Sequence, residues 1–230
     1  KPNGIGLLIH VSRANKSDLK DQIGATDEFT AELVWTDNKN GVKDNSNIKI
    51  VKAAGKGANG YVLVLPGSAQ GNAVVAAKVG GNIIWSWHIW VSKEEPTAIG
   101  IFMDRSLGAL GTTPGSADAV GLNYQWGRKD PLPKIFTVGD KGKSQAIYDS
   151  NGKSISFAIT EPQSLKDVIS HPLYHPIAKV NVTTDWCSTS NNLFWNPDKK
   201  TIYDPCPKGW RIAKTKTLNG EDGYQANWED

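Results

Sequence analysis

Apolar residues in the first ninety positions recur in short alternating or continuous runs, without sustained helical spacing. The runs at 5–11, 29–35, 48–51, 61–65, 73–79 and 83–91 are separated by clusters of Gly, Asn and Asp. Side chains alternate between the two faces of a sheet, so short runs bounded by turn formers predict half-buried strands. Six such runs predict an Ig-like β-sandwich over residues 1–92. The clearest unit is a hairpin, with Gly80-Gly81 as a two-residue turn between strands 72–79 and 82–91. In the second strand Ile83, Trp85, Trp87, Ile89 and Val91 share one face, and Ile84, Ser86, His88 and Trp90 share the other. Two readings of His88 follow. It forms part of an aromatic ligand platform with Trp90, or, the favoured reading, it is hydrogen-bonded at a junction that Trp90 fills.

The polar stretch 92–96 (Ser-Lys-Glu-Glu-Pro) breaks the pattern and places a domain boundary after residue 92. Residues 93–230 predict a loop-rich α+β domain. Positions 99–103 read as a strand, and 164–169 as a short helix capped by Ser164 and ended at His171-Pro172. The remainder is rich in Gly, Pro and Trp, the composition of long loops pinned by buried aromatics. Residues 203–211 (Tyr-Asp-Pro-Cys-Pro-Lys-Gly-Trp-Arg) are the stiffest stretch. Two prolines around Cys206 fix the backbone, and Gly209 permits a tight turn before Trp210, so the segment reads as a structural corner.

Composition narrows the function. The chain of 230 residues is 39% hydrophobic and 21% charged, which describes a globular protein able to bury a core. A net charge of +3, with no Lys/Arg run longer than two, argues against nucleic acid as a partner. The basic pairs Arg128-Lys129 and Lys199-Lys200 each adjoin an acid and read as solvated turns. The sequence begins at Lys1 without an apolar h-region, so any targeting segment is expected to lie outside it. Cys187 and Cys206 lie nineteen positions apart, and a disulfide between them is favoured over two buried free thiols. Closing that loop would contribute on the order of 3 kcal/mol.

Motifs of catalysis are missing: there is no Gly-x-Ser-x-Gly, P-loop, His-Glu-x-x-His or dinucleotide fingerprint. His171 and His175 have the spacing of helical metal ligands, but Pro172 and Pro176 disfavour a helix there, so no metal or other cofactor is assigned. For a calcium-dependent sugar site, Glu161-Pro-Gln163 lacks the required amide placement and Trp195-Asn-Pro-Asp198 has a proline between Asn and Asp, while the turn 219–223 is acidic enough to coordinate calcium but reads as a solvated turn. Trp126, Trp186 and Trp210 read as core or corner residues. Trp195 and Trp228 sit among Asn and Asp, so Trp195, Asn196, Asp198 and Trp228 are the candidate ligand-binding residues, offering aromatic faces and polar groups suited to a sugar.

Four segments in one order carry a resemblance: 84–90 (Ile-Trp-Ser-Trp-His-Ile-Trp), 102–109 (Phe-Met-Asp-Arg-Ser-Leu-Gly-Ala), 121–130 (Gly-Leu-Asn-Tyr-Gln-Trp-Gly-Arg-Lys-Asp) and 203–211. Their succession resembles the fimbrillin-like surface proteins of Bacteroidetes, and the second half resembles the FISUMP domain, the Fibrobacter succinogenes major paralogous domain. The resemblance implies an exported protein, lipid-anchored at the cell surface or outer membrane. It also implies a second domain similar to C-type-lectin-like and formylglycine-generating-enzyme-like folds. After Arg211 the chain departs from the family, which continues into a Pro-Thr stretch and a helix, so the second domain is expected to be divergent or incomplete at its C-terminal end. The function expected on these grounds is a non-enzymatic adhesin or fimbrial component. Its partners would be host or microbial surface glycans or proteins, or other fimbrial subunits. The alternative is a carbohydrate-binding module for glycan capture, and the third is a formylglycine-generating type of enzyme. For polymerisation, the apolar segment 4–11 either pairs in its own sheet, the default, or donates to a neighbour's edge.

Overall fold

Two antiparallel sheets carry the fold, and their strands lie largely where the apolar alternation places them. The computed structural model describes residues 1–100, 102–136, 143–177, 185–189, 191 and 193–213. Strands β1 (Leu7–His10), β2 (Thr30–Thr36), β3 (Ile48–Ala54), β4 (Tyr61–Pro66), β5 (Gly71–Val79) and β6 (Asn82–Val91) fall in the predicted runs. After them come β7 (Ala98–Ile99), β8 (Phe102–Met103), β9 (Ile135–Phe136), β10 (Lys143–Ser144), β11 (Ile147–Tyr148), β12 (Ser154–Ile155), β13 (Ala158–Thr160), helix α1 (Leu165–Ser170) and β14 (Tyr174–Pro176). The chain is mainly β, as expected. One sheet has the order β1-β4-β3, the other β12-β11-β2-β5-β6.

The two sheets share a core. Ile48, Val62 and Val64 from the first meet Leu33, Ala73, Val75, Ala77, Trp85 and Ile89 from the second in one buried cluster. Each large apolar side chain removed from water there contributes about 1.5–3 kcal/mol. The opposite face of the second sheet holds a smaller cluster of Trp35, Val74, Leu122 and Ile147. Strict alternation would put Leu33 and Trp35 on one face. A bulge separates them: Leu33 lies opposite Val75 and Trp35 opposite Val74. The inserted residue turns Trp35 to the outer face.

The hairpin forms as read. Gly80 and Gly81 have φ of 57° and 84° and join Val79 to its partner Asn82. A bulge where Ala77 faces Trp85 and Lys78 faces Ile83 leaves Ile84 as the extra residue. Ile84 therefore packs in the main core beside Trp85, not on the face with Ser86 and His88.

The division into 1–92 and 93–230 corresponds to no division of the core. Tyr148 of β11 pairs with Thr36 of β2, so β11 and β12 extend the sheet that β2, β5 and β6 build. Val168, Ile169, Trp186, Phe194, Trp195 and Tyr203 pack into the same cluster as the N-terminal strands. The physical reason lies in β2 and the outer sheet face, which leave an edge to be paired and apolar side chains to be covered. Two local readings resolve cleanly. Ser164 caps α1 by accepting a hydrogen bond from the Asp167 amide at 3.1 Å, as predicted. The run 99–103 is not one strand: β7 and β8 pair with each other, with Gly100 at φ 60° between them.

An added Cβ at Gly80 or Gly81 meets nothing within 4 Å, so substitution there costs backbone strain alone. Each Gly→Ala change is expected to lower stability by about 1–2 kcal/mol in urea titration, with Asn in place of either recovering part of the loss. Equal stability of the Ala variants would show that the turn does not need positive φ.

Candidate functional site

On the outer face of β5 and β6 the polar side chains form a closed seam. Asn72 donates from its amide and its Nδ2 to the Asp37 carboxylate at 2.8 and 3.0 Å, and from Nδ2 to the Gly108 carbonyl at 3.0 Å. Asn72 Oδ1 lies 3.0 Å from His88 Nε2, and the Tyr124 hydroxyl lies 3.1 Å from His88 Nδ1. One neutral tautomer satisfies both contacts, with Nε2–H donating to Asn72 and Nδ1 accepting from Tyr124. Burial pushes His88 down to about 4, against a weaker opposing pull from Asp130. Burial raises the Asp37 carboxyl despite its bonds from Asn72. Gly108 has φ 81°, and a Cβ there would sit 2.6 Å from Leu122 Cγ, so only glycine lets the 102–109 segment approach this seam. Trp90 Nε1 donates to the Ala109 carbonyl at 3.1 Å. His88 is a bonded junction residue with Trp90 beside it, the favoured of its two readings, and both lie beneath the loops rather than on a platform.

Arg128 and Lys129 are not a solvated pair: Arg128 is 1% and Lys129 9% exposed. Arg128 donates to Gln125 Oε1 at 2.9 Å and to the Pro172 carbonyl at 3.0 Å, tying the 121–131 loop to the chain after α1. Lys129 Nζ donates to Asp130 Oδ2 at 2.7 Å, to the Ser86 carbonyl at 3.2 Å and to Ser86 Oγ. Ser86 Oγ in turn donates to Asp130 Oδ1 at 2.7 Å. The ammonium lies 4.5 Å from the Trp85 ring centroid, a cation–π geometry in a desolvated setting. Burial lowers the Lys129 ammonium from its ordinary range, and Asp130 opposes that shift.

The 203–211 corner is held by polar contacts. Lys200 Nζ donates to Asp204 Oδ1, the Cys206 carbonyl and the Trp210 carbonyl at 3.0, 2.7 and 2.8 Å. Asp204 accepts from the Cys206 amide at 2.8 Å and the Ile212 amide at 3.1 Å. Tyr203 reaches back to the N-terminal segment, its hydroxyl accepting from the Asp18 amide at 3.0 Å and donating to Asp18 Oδ2 at 3.2 Å. The predicted disulfide is not formed in this structure. Both cysteines are free thiols, Cys187 buried and Cys206 half-buried. Cys187 is committed elsewhere, at a bridge to Gln163 and in the core. Burial raises both thiols, Cys206 to about 12 with Asp204 adding to the shift, whereas a nucleophilic cysteine needs a lowered pKa.

Among the proposed sugar-binding residues, Trp195 offers no exposed aromatic face. Trp195 is 6% exposed and donates from Nε1 to the Tyr203 carbonyl at 2.9 Å, packed edge-on against Trp126. Asn196 Oδ1 accepts from the amides of Asp198 and Lys199 at 2.8 and 3.3 Å, which makes it a turn-forming side chain. Asp198 is exposed, and Trp228 and the 219–223 turn lie outside the described residues. Trp126, read as a corner residue, is the more open indole at 37%. Its neighbour Trp186 donates to the Trp126 carbonyl at 2.6 Å. Among the described residues no group of three or more His, Cys, Asp or Glu side chains is placed to hold a metal ion. His171 stacks on Tyr174, and His175 sits on β14, so the two do not share a helical face.

One sizeable concavity among the described residues was not anticipated. A groove of about 670 Å³ runs between β1 and β6, each the outermost strand of its sheet. Ile5, Leu7 and Ile9 form one wall, Trp87, Ile89 and Val91 the other, and the 205–208 corner closes it. The apolar alternation at 5–9 was the only sequence signal for it. Comparison with protein-family models, curated proteins and solved structures finds no match to this chain.

Two outcomes follow from this geometry. Stability owed to neutral His88 is fully present above pH 6.5 and is lost as pH falls toward about 4, on the order of 3 kcal/mol. Asp37 works in the opposite sense, since its raised pKa favours the folded state at low pH and loses that contribution as pH rises above 3.8. His88→Gln should remove the first component, seen as a flatter loss of stability in urea titrations between pH 7 and 4.5; an unchanged profile would discount His88. With both thiols free, protein denatured without reductant should give two titratable thiols per chain. None would mean that the cysteines are bonded in solution.

Proposed function

We propose that this chain is a non-enzymatic adhesin or fimbrial component, exported and held at the cell surface. The observation that carries the reading is the groove between two strand edges. Strand edges present unpaired backbone groups, and an apolar groove between them accepts an extended segment with alternating side chains. Ile5 is 97% exposed, and Leu7 and Leu8 on β1 are also largely uncovered, an apolar flank of the kind that marks an interaction site. The elevated thiols and the fully bonded His88 favour this reading over the enzymatic one. The partners are other copies or other surface subunits, and a surface glycan is the alternative. A sandwich presenting a lectin-like loop region is the finer architecture this function would use.

Light scattering over a concentration series tests the reading. The wild-type chain is expected to self-associate, and Ile5→Asp with Leu7→Asp, both changes at exposed positions, to leave a folded monomer. A wild type that stays monomeric throughout would count against a subunit role. Saturable heat on titrating soluble polysaccharides into the monomeric variant would favour the glycan-binding alternative.

A further inference from the structure

The 205–208 corner closes the groove, but it is attached to the molecule differently from the strands beside it. Ile202 and Tyr203 before the corner and Ile212 after it pack into the main core, whereas Cys206 and Trp210 between them do not. Among the described residues, every hydrogen bond that ties 205–210 to the rest of the chain runs to Lys200 or Asp204. Lys200 supplies the bonds to the Cys206 and Trp210 carbonyls, and its ammonium also pairs with the buried Asp204 carboxylate at 3.0 Å. Pro205 and Pro207 stiffen the segment, so it moves as one piece. Lys200 itself does not line the groove, and its side chain is 37% exposed. An ammonium so placed makes strong charge-assisted bonds, yet exchanges them for water at modest cost.

We propose that residues 205–210 form a hinged wall of the groove, anchored at Tyr203 and Ile212 and latched by Lys200, which swings out to admit an occupant and closes behind it. The admitting role rests on the reading of the groove as an acceptor. The latch does not, and its test needs no occupant.

Cys206 lies on this wall and supplies the reporter: its thiol is timed against DTNB in the native full chain, with the buried Cys187 as internal control. Loss of the ammonium can act in two ways that differ in sign. The charge favours the Cys206 thiolate, so removing it with the wall in place slows the reaction; release of the wall brings the thiol to solvent and speeds it. In Lys200→Ala, Cys206 is expected to react at least about tenfold faster, the factor given by losing one charge-assisted hydrogen bond, with Cys187 unchanged. Propylammonium, which restores N–H donors to the three oxygens, should return the rate toward wild type, and tetramethylammonium, which has none, should not. Lys200→Gln, which keeps donors for part of the set, serves the same comparison should the alanine variant fail to fold. A folded variant whose Cys206 reacts more slowly or at the wild-type rate, or whose two thiols accelerate together, would overturn the latch. A latch upheld in a protein that stays monomeric at every concentration would spare the moving wall and sink its role in admitting a partner.

Discussion

The fold depends on covering the outer face of β5 and β6. That face carries Asn72, Ser86 and His88, polar groups away from solvent, together with Val74 and the displaced Trp35. Left open, it would expose apolar surface; covered without partners, it would bury unpaired donors and acceptors at a cost of about 1–3 kcal/mol each. The loops over 102–134 meet both needs by bringing Gly108, Tyr124, Lys129 and Asp130 onto the face in bonding positions. Irregular backbone is thus given a fixed course by side chains projecting from a regular sheet. The same requirement explains why the two halves of the chain pack together, since the cover belongs to the second half and the face to the first.

Much of the sheet structure was legible because it is local. The Gly80-Gly81 turn, the alternation along β6 from Trp85 onward and the Ser164 cap each depend on residues within a few positions of one another; the bulge at Ile84 turns Ile83 to the side of Lys78, away from the Trp85 face. What escaped reading is long-range or depends on a single inserted residue. The bulge after Leu33 sends Trp35 to the other face, and nothing in the residues 33–35 announces it. The pairing of Tyr148 with Thr36 adds two strands to the sheet from beyond the supposed boundary. A polar, proline-ended break at 92–96 is a correct sign of a loop and a poor sign of a domain limit.

The candidate site was less legible, for reasons of burial. Charge in sequence favours solvent, so Arg128-Lys129 read as a surface turn, yet both serve as internal ties because carbonyl oxygens and Asp130 accept their hydrogen bonds. Trp195 among Asn and Asp read as exposed, yet its ring packs under the 203–211 corner and its N–H bonds Tyr203. In both cases the neighbours that decide burial are distant in sequence: Ser86 for Lys129, Trp126 for Trp195. The stiffness of the corner was correctly read from its prolines, while its fastening, in this structure the Lys200 ammonium and the Asp204 carboxylate, was not.

The bond between Tyr203 and Asp18 spans 185 positions. Contacts of such separation form late, because the entropy of closing the intervening chain must be met before they stabilise anything. A chain made from its N-terminus at about 5–20 residues per second has its first sheet available many seconds before Tyr203 exists to complete the core. During that interval Trp85 lacks both Tyr203 and Lys129, and the apolar interior between the sheets stands open at one end. The order of synthesis therefore leaves the nascent chain unable to complete this core until the segment carrying Tyr203 has emerged.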